Sequence, residues 1–441
     1  MTKTLPGKAL YIINAELLDP SSKLKGKGEI LLHDGKIAAI GKPGELRNKA
    51  KSLKATTKEA GGLLVTAGFI DLQCHIYEPG QEHVESFMSA SLAAAAGGFT
   101  SLCVKPDTTP INDNAFMTDF LLRRAREHSL VRILPIGAMT VAKEGKRLAE
   151  MGSMAAAGIV AVSDGIGISD SYLQRKALEY SRAFNLPVFL HAEDRPLMGS
   201  GVMHEGINSN RLGLRGIPAA AEDIAVARDL VLAKHTGGKI HFHSLSTRGA
   251  LEMVRAAKRD GLQFTVETNP QYFTLTCDAI SSYDANYKCF PPLREKEDVA
   301  AVIEALADGT IDAIATNHLP QSRSSKEQAF EFASPGMIGL ETALPLSLRL
   351  VKKKQLKLER MVELLTSAPA KVLGLEKSQG TLKISANADL VFLDLKKKYQ
   401  FTESSVHGAA KNTPFFGESF EGQVQTTIVN GSIVFDRGEE K

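Results

Sequence analysis

The chain has no tryptophan, only four cysteines in 441 residues, and no uninterrupted apolar run near the length of a membrane span. A spanning helix needs about 20 apolar residues in a row, so none is expected. The opening Met-Thr-Lys-Thr-Leu-Pro-Gly also lacks the apolar stretch of a secretory signal. Cys74, Cys103, Cys277 and Cys289 form no C-x-x-C pair, which excludes a zinc knot and a disulfide framework as expectations. There is no charge excess either. The 53 basic and 50 acidic residues leave +3, too balanced for a nucleic-acid or anionic-membrane surface. The short runs Lys352-Lys353-Lys354 and Lys396-Lys397-Lys398 read as solvated helix ends or turns. These absences describe a cytoplasmic protein in a reducing compartment. What remains is a hydrophobic content of 43%, enough for a substantial core, in a chain long enough for one large α/β domain and a smaller unit.

The middle of the chain repeats a strand-then-helix unit. Apolar runs fall at 68–72, 100–106, 131–139, 158–164, 187–193, 239–246, 263–270 and 311–318. Most intervals between them contain a helix-like stretch, such as 85–96, 114–128, 171–185 and 219–235, and Gly-Gly or Asp-Gly often marks the return to the next strand. Short apolar strands alternating with helices predict a parallel sheet covered on both faces, and eight of them predict a (β/α)8 TIM barrel. No glycine fingerprint follows the first strand, which counts against dinucleotide binding. Both ends of the chain alternate in the manner of β-hairpins, turning at Asp34-Gly35 and Asn430-Gly431. The predicted organisation is a composite β-sandwich of residues 1–66 and 377–441 around a barrel of residues 67–376.

Barrel enzymes carry their chemistry at the C-terminal ends of the strands. Strand one ends with Gln73 and His75, two apart and so on one side of an extended chain. Strand two ends Lys105-Pro-Asp107, strand four at Asp164, and strand five at His191-Ala-Glu193. Strand six carries His241, His243 and Ser244, strand seven Glu267 and Asn269, and strand eight Asn317-His318. Glu267 and Asn269 can be read either as lumen residues or as hydrogen-bonding groups at the mouth.

A series of motifs in order carries a resemblance: Gly68-Phe-Ile-Asp-Leu72, Glu78-Pro-Gly-Gln-Glu-His83, Ala94-Ala-Ala-Gly-Gly-Phe-Thr100, His191-Ala-Glu-Asp194, Ser246-Thr-Arg248, Pro291-Pro-Leu-Arg294 and Gly339-Leu-Glu-Thr-Ala-Leu-Pro345. Through them the chain resembles the dihydroorotases of the cyclic amidohydrolase superfamily, specifically those that accompany aspartate transcarbamoylase. The resemblance implies a metal set of two His on strand one, an acidic or modified group on strand four, His on strands five and six, and Asp on strand eight. At those positions stand Gln73, His75, Asp164, His191, Ser244 and Asn317. Positions implied to contact substrate are altered as well, with Tyr77, Asp107 and Gln321 in place of Arg, Asn and His, while Arg294 and the Pro335-Gly336 region remain.

Neutral amides and a hydroxyl are weaker zinc partners than imidazole or carboxylate. An Asn at 317 is also no proton acceptor near neutral pH, and loss of a general acid–base group alone costs about 10²–10⁴ in rate. Two readings of His75, Asp164 and His191 follow: hydrogen-bonded remnants, or a weakened mononuclear zinc site helped by His243. For function, the first expectation is a non-catalytic dihydroorotase-like subunit, without a cofactor, that supports aspartate transcarbamoylase in a homo- or hetero-oligomer. A reduced hydrolase is the second. A module that binds dihydroorotate or carbamoyl-aspartate through Arg294 is the third.

Overall fold

The computed structural model describes residues 9–165 and 167–439, so the opening heptapeptide lies outside the described residues. Eight strands fall within or next to the apolar runs: β1 (Phe69–Cys74), β2 (Phe99–Val104), β3 (Arg132–Gly137), β4 (Ala161–Val162), β5 (Val188–His191), β6 (Ile240–His243), β7 (Thr265–Thr268) and β8 (Ala313–Ile314). They pair in sequence order and in parallel, which is the (β/α)8 arrangement. Every residue of β1 and β2 is buried, because helices cover the outside while side chains fill the lumen.

Local capping fixes the helix starts. The helix after β1 spans Phe87–Ala96 rather than beginning at 85, because Ser86 is its N-cap and exchanges hydrogen bonds with Ser89. Asn114 likewise stands outside the helix Ala115–His128 and accepts from the Met117 N–H at 3.0 Å.

The barrel closes by side chain as much as by backbone. Between β8 and β1 the backbone supplies one bridge, Cys74 with His318, and a hydrogen bond from His75 N–H to the His318 carbonyl at 2.9 Å. The Asp71 carboxylate spans the same seam, accepting from Thr316 N–H at 2.8 Å and from Thr316 Oγ1 at 2.6 Å. Burial pushes the Asp71 carboxyl up to about 7 against the pull of the Thr316 donors.

Strands from both ends of the chain form a second unit, one continuous eight-stranded sheet. Leu64–Ala67 joins the two ends, lying parallel to Ala9–Asp19 and antiparallel to Leu390–Gln400. Asp34-Gly35 and Asn430-Gly431 all have positive φ, which suits two-residue hairpins to the strand twist. Ile12, Leu17, Ile30, Val65, Leu390 and Phe392 build its core from both termini. Arg132 at the start of β3 ties the barrel to this sheet, donating to Asp389 at 2.9 Å and to Asn430 at 2.6 Å.

Replacing Asp71 by Ala would strand two buried Thr316 donors. The expected cost is about 2–4 kcal/mol in denaturant unfolding, and a loss below about 0.5 kcal/mol would show that the seam holds without this carboxylate.

Candidate active site

The C-terminal ends of the strands surround a cavity of about 320 Å³ lined by Gln73, His75, Lys105, Asp107, Lys143, Asp164, Gly165, His191, Arg195, Phe290, Asn317, Leu319 and Pro335. Five of the six positions read as metal ligands therefore meet at one basin. The sixth, Ser244, lies directly behind it, fully buried.

Each of these groups already has a protein partner or has changed its character. Ser244 Oγ donates to Gln73 Oε1 at 2.8 Å, so two altered ligand positions satisfy one another. Asp164 accepts from Met139 N–H at 2.7 Å, from Thr140 N–H at 3.0 Å and from the Thr140 hydroxyl. His191 Nε2 lies 3.1 Å from Glu193 Oε2. His75 Nδ1 lies 2.8 Å from Asp107, whose other oxygen takes the Lys143 ammonium. Tyr77 and Gln321, two altered substrate-contact positions, are neighbours at the mouth.

Charges at the mouth are strongly biased. Burial lowers the His75 pKa while Asp107 opposes the shift, so the ring is neutral at pH 7 and donates from Nδ1. Burial alone would raise the Asp107 carboxyl, but the His75 N–H and the Lys143 ammonium overcome it and hold the group well below the usual carboxylate range. Burial pushes the Lys105 ammonium down to about 8, with Asp107 opposing.

Three non-glycine residues at the mouth have left-handed backbone, Lys143 at φ 59° among them. Ser244 has φ 56° and Asn317 φ 47°, the left-handed region that costs most L-residues about 1–2 kcal/mol. The turn at Ser244 carries its side chain to Gln73 while His241 and His243 point into the lumen beside Phe189. His243 is inward but does not line the basin. Glu267 is a lumen residue, 3.0 Å from His241 Nε2 and 2.5 Å from His243 Nδ1. Asn269 is buried and donates to the Ala315 carbonyl at 2.9 Å.

Arg294 is not at the basin. It is 1% exposed, donates to Ser246 Oγ at 3.0 Å and pairs with Glu222 at 3.2 Å. A contact between Arg294 and a ligand is thereby replaced by an indirect link, since Glu193 lies 4.0 Å from Arg294 and also touches His191. The motif around Arg294 could not reveal Glu222, which lies 72 residues away in sequence.

The residues at the basin do not fit the metal centre that the resemblance implies. Gln73, Ser244 and Asn317 are neutral, and the Gln73 carbonyl is taken by Ser244. His75, Asp164 and His191 do not together bring one ligand atom each within 4.8 Å of one another, whereas among the described residues His241, His243 and Glu267 do. That lumen group was not singled out as a set in the sequence, and it leaves the expectation of no cofactor without support. Its spacing could hold a metal ion, although here both imidazoles share Glu267 through hydrogen bonds and burial keeps both neutral, with pKa values pushed down to about 3. Lys143 and Arg195 gave no signal in the sequence. Lys105 did, as a charge at the end of an apolar strand.

The closed parallel barrel, its polar strand ends and the sheet of both termini define a protein of the amidohydrolase class. The solved L-hydantoinase (dihydropyrimidinase) from Arthrobacter aurescens superposes with a TM-score of 0.87, at 26% identity over 98% of this chain and 97% of that one. Residues 339–435 match the amidohydrolase family model, and residues 62–250 match the model described as dihydro-orotase-like. The dihydroorotase of Geotalea daltonii is 44% identical over 429 residues, covering 97% of this chain and 99% of that protein. The dihydroorotase of Anaeromyxobacter dehalogenans is also 44% identical, over 97% of this chain and 98% of its own length. The chain belongs to the dihydroorotase family.

Because Asp107 is held below its ordinary value near 3.8, its contribution to stability is complete above that pH and is lost as the pH falls further. The Asp107→Asn variant is expected to show a shallower loss of Tm than the parent on acidification below about pH 4. Parallel curves for the two proteins would remove Asp107 from the acid-labile groups.

Proposed function

We propose that this chain is a dihydroorotase-family protein that no longer hydrolyses a cyclic amide and that serves as a structural partner of aspartate transcarbamoylase in the cytoplasm. One observation carries the first half. Two altered ligand positions pair with each other, Ser244 Oγ donating to Gln73 Oε1 at 2.8 Å, so the carbonyl that could turn to a metal is already taken by the protein. A catalytic zinc needs about three firm ligands and an open position for water. Asn317 supplies neither a charge nor a proton acceptor. The second half rests on retention of the whole fold, barrel and terminal sheet together, around a mouth with this chemistry removed.

Turnover and metal content test the first half. Protein purified without chelator is expected to show no hydrolysis of dihydroorotate and no formation of it from carbamoyl-aspartate, and chelator treatment should leave its Tm unchanged. The names of the relatives, both dihydroorotase at 44% identity, favour a second reading as a reduced hydrolase. Stoichiometric zinc with turnover abolished by His191→Ala would establish that reading instead.

Association tests the second half. Mixed at micromolar concentration with the aspartate transcarbamoylase of the same organism, the chain is expected to co-sediment as a larger complex. Independent sedimentation of the two would end the partnership proposal.

A further inference from the structure

The Lys105 side chain is 2% exposed and lies on the basin wall. An ammonium has three donors. Among the described residues its hydrogen bond is to Ser163 Oγ, at a long 3.3 Å, and no carboxylate lies within ion-pairing distance of it. The neighbouring acids are engaged elsewhere, Asp107 by His75 and Lys143, and Asp164 by Met139 and Thr140. A buried charge without a partner is costly, and an acceptor from solution removes that cost.

Two further donors face the same space. Gln73 accepts from Ser244 through Oε1, and among the described residues its NH₂ has no hydrogen-bond partner. The Asn317 amide lines the basin and, among the described residues, forms no side-chain hydrogen bond. An Asp at 317 would present only acceptors, whereas Asn presents two N–H donors. The lining as a whole sets three cationic side chains against two carboxylates. Its volume of about 320 Å³ equals that of about ten waters at roughly 30 Å³ each.

We propose that the basin is a binding site for a small oxyanion, a carboxylate or phosphate, anchored by the Lys105 ammonium with the Gln73 and Asn317 amides as supporting donors. The anchor is on β2's C-terminal end, separate from the altered contact positions Tyr77, Asp107 and Gln321. The site does not depend on whether the chain hydrolyses anything or binds another protein. Charge-assisted hydrogen bonds from a fixed, desolvated ammonium are the strong kind, and the amides add direction.

The test is binding of inorganic phosphate and of acetate to the full chain, by calorimetry and by Tm at constant ionic strength set with chloride. A saturable Tm rise with at least one of the two supports the site, and which one produces it identifies the oxyanion geometry. Lys105→Met is expected to weaken that binding about ten-fold or more. Asn317→Asp, which turns a donor into a repelling carboxylate, should weaken it comparably and covers the case in which Lys105→Met fails to fold. Exposed Lys353→Met should leave it unchanged. Absence of saturable binding by either anion overturns the proposal, as does binding that survives both basin variants.

Discussion

The seam between the first and last barrel strands is the constraint on which the mouth depends. Eight strands pair in order, but the last contact relies on one backbone bridge and on the Asp71 carboxylate reaching Thr316. On one side of that seam lie Gln73 and His75, and on the other Asn317 and His318. Their relative placement is therefore set by a buried charge-bearing group rather than by a long ladder. Such a group is costly to bury and is retained only where its hydrogen bonds are complete.

Within that frame the altered residues behave as sets. Removing one member of a buried hydrogen-bonded pair leaves the other unsatisfied, at a cost of about 1–3 kcal/mol, while exchanging both can be nearly neutral. Gln73 with Ser244, and Asp107 with His75 and Lys143, are two such sets around one basin. The lumen below follows the same rule, with Glu267 shared between two neutral imidazoles.

The fold was largely legible in the sequence because its signals are local. Near-continuous apolar runs marked the eight strands, and Asp34-Gly35 and Asn430-Gly431 marked hairpins by the positive φ their turns require. Convergence of Gln73, His75, Asp164, His191 and Asn317 was legible too, since each ends a strand of one barrel. What escaped depended on distant partners. Lys143 comes from a turn without a pattern, Arg294 is drawn away by Glu222, and the joint inward placement of His243 and Ser244 follows from a left-handed turn at Ser244 that no composition signal announces.

The left-handed turns at the mouth have a consequence for what positions 244 and 317 can hold. Ser and Asn at 244 and 317 keep a backbone conformation whose strain is usually held at working sites. A glycine at either position would relieve the main chain but remove the polar group that the turn presents, so backbone ease and side-chain chemistry are set against each other there.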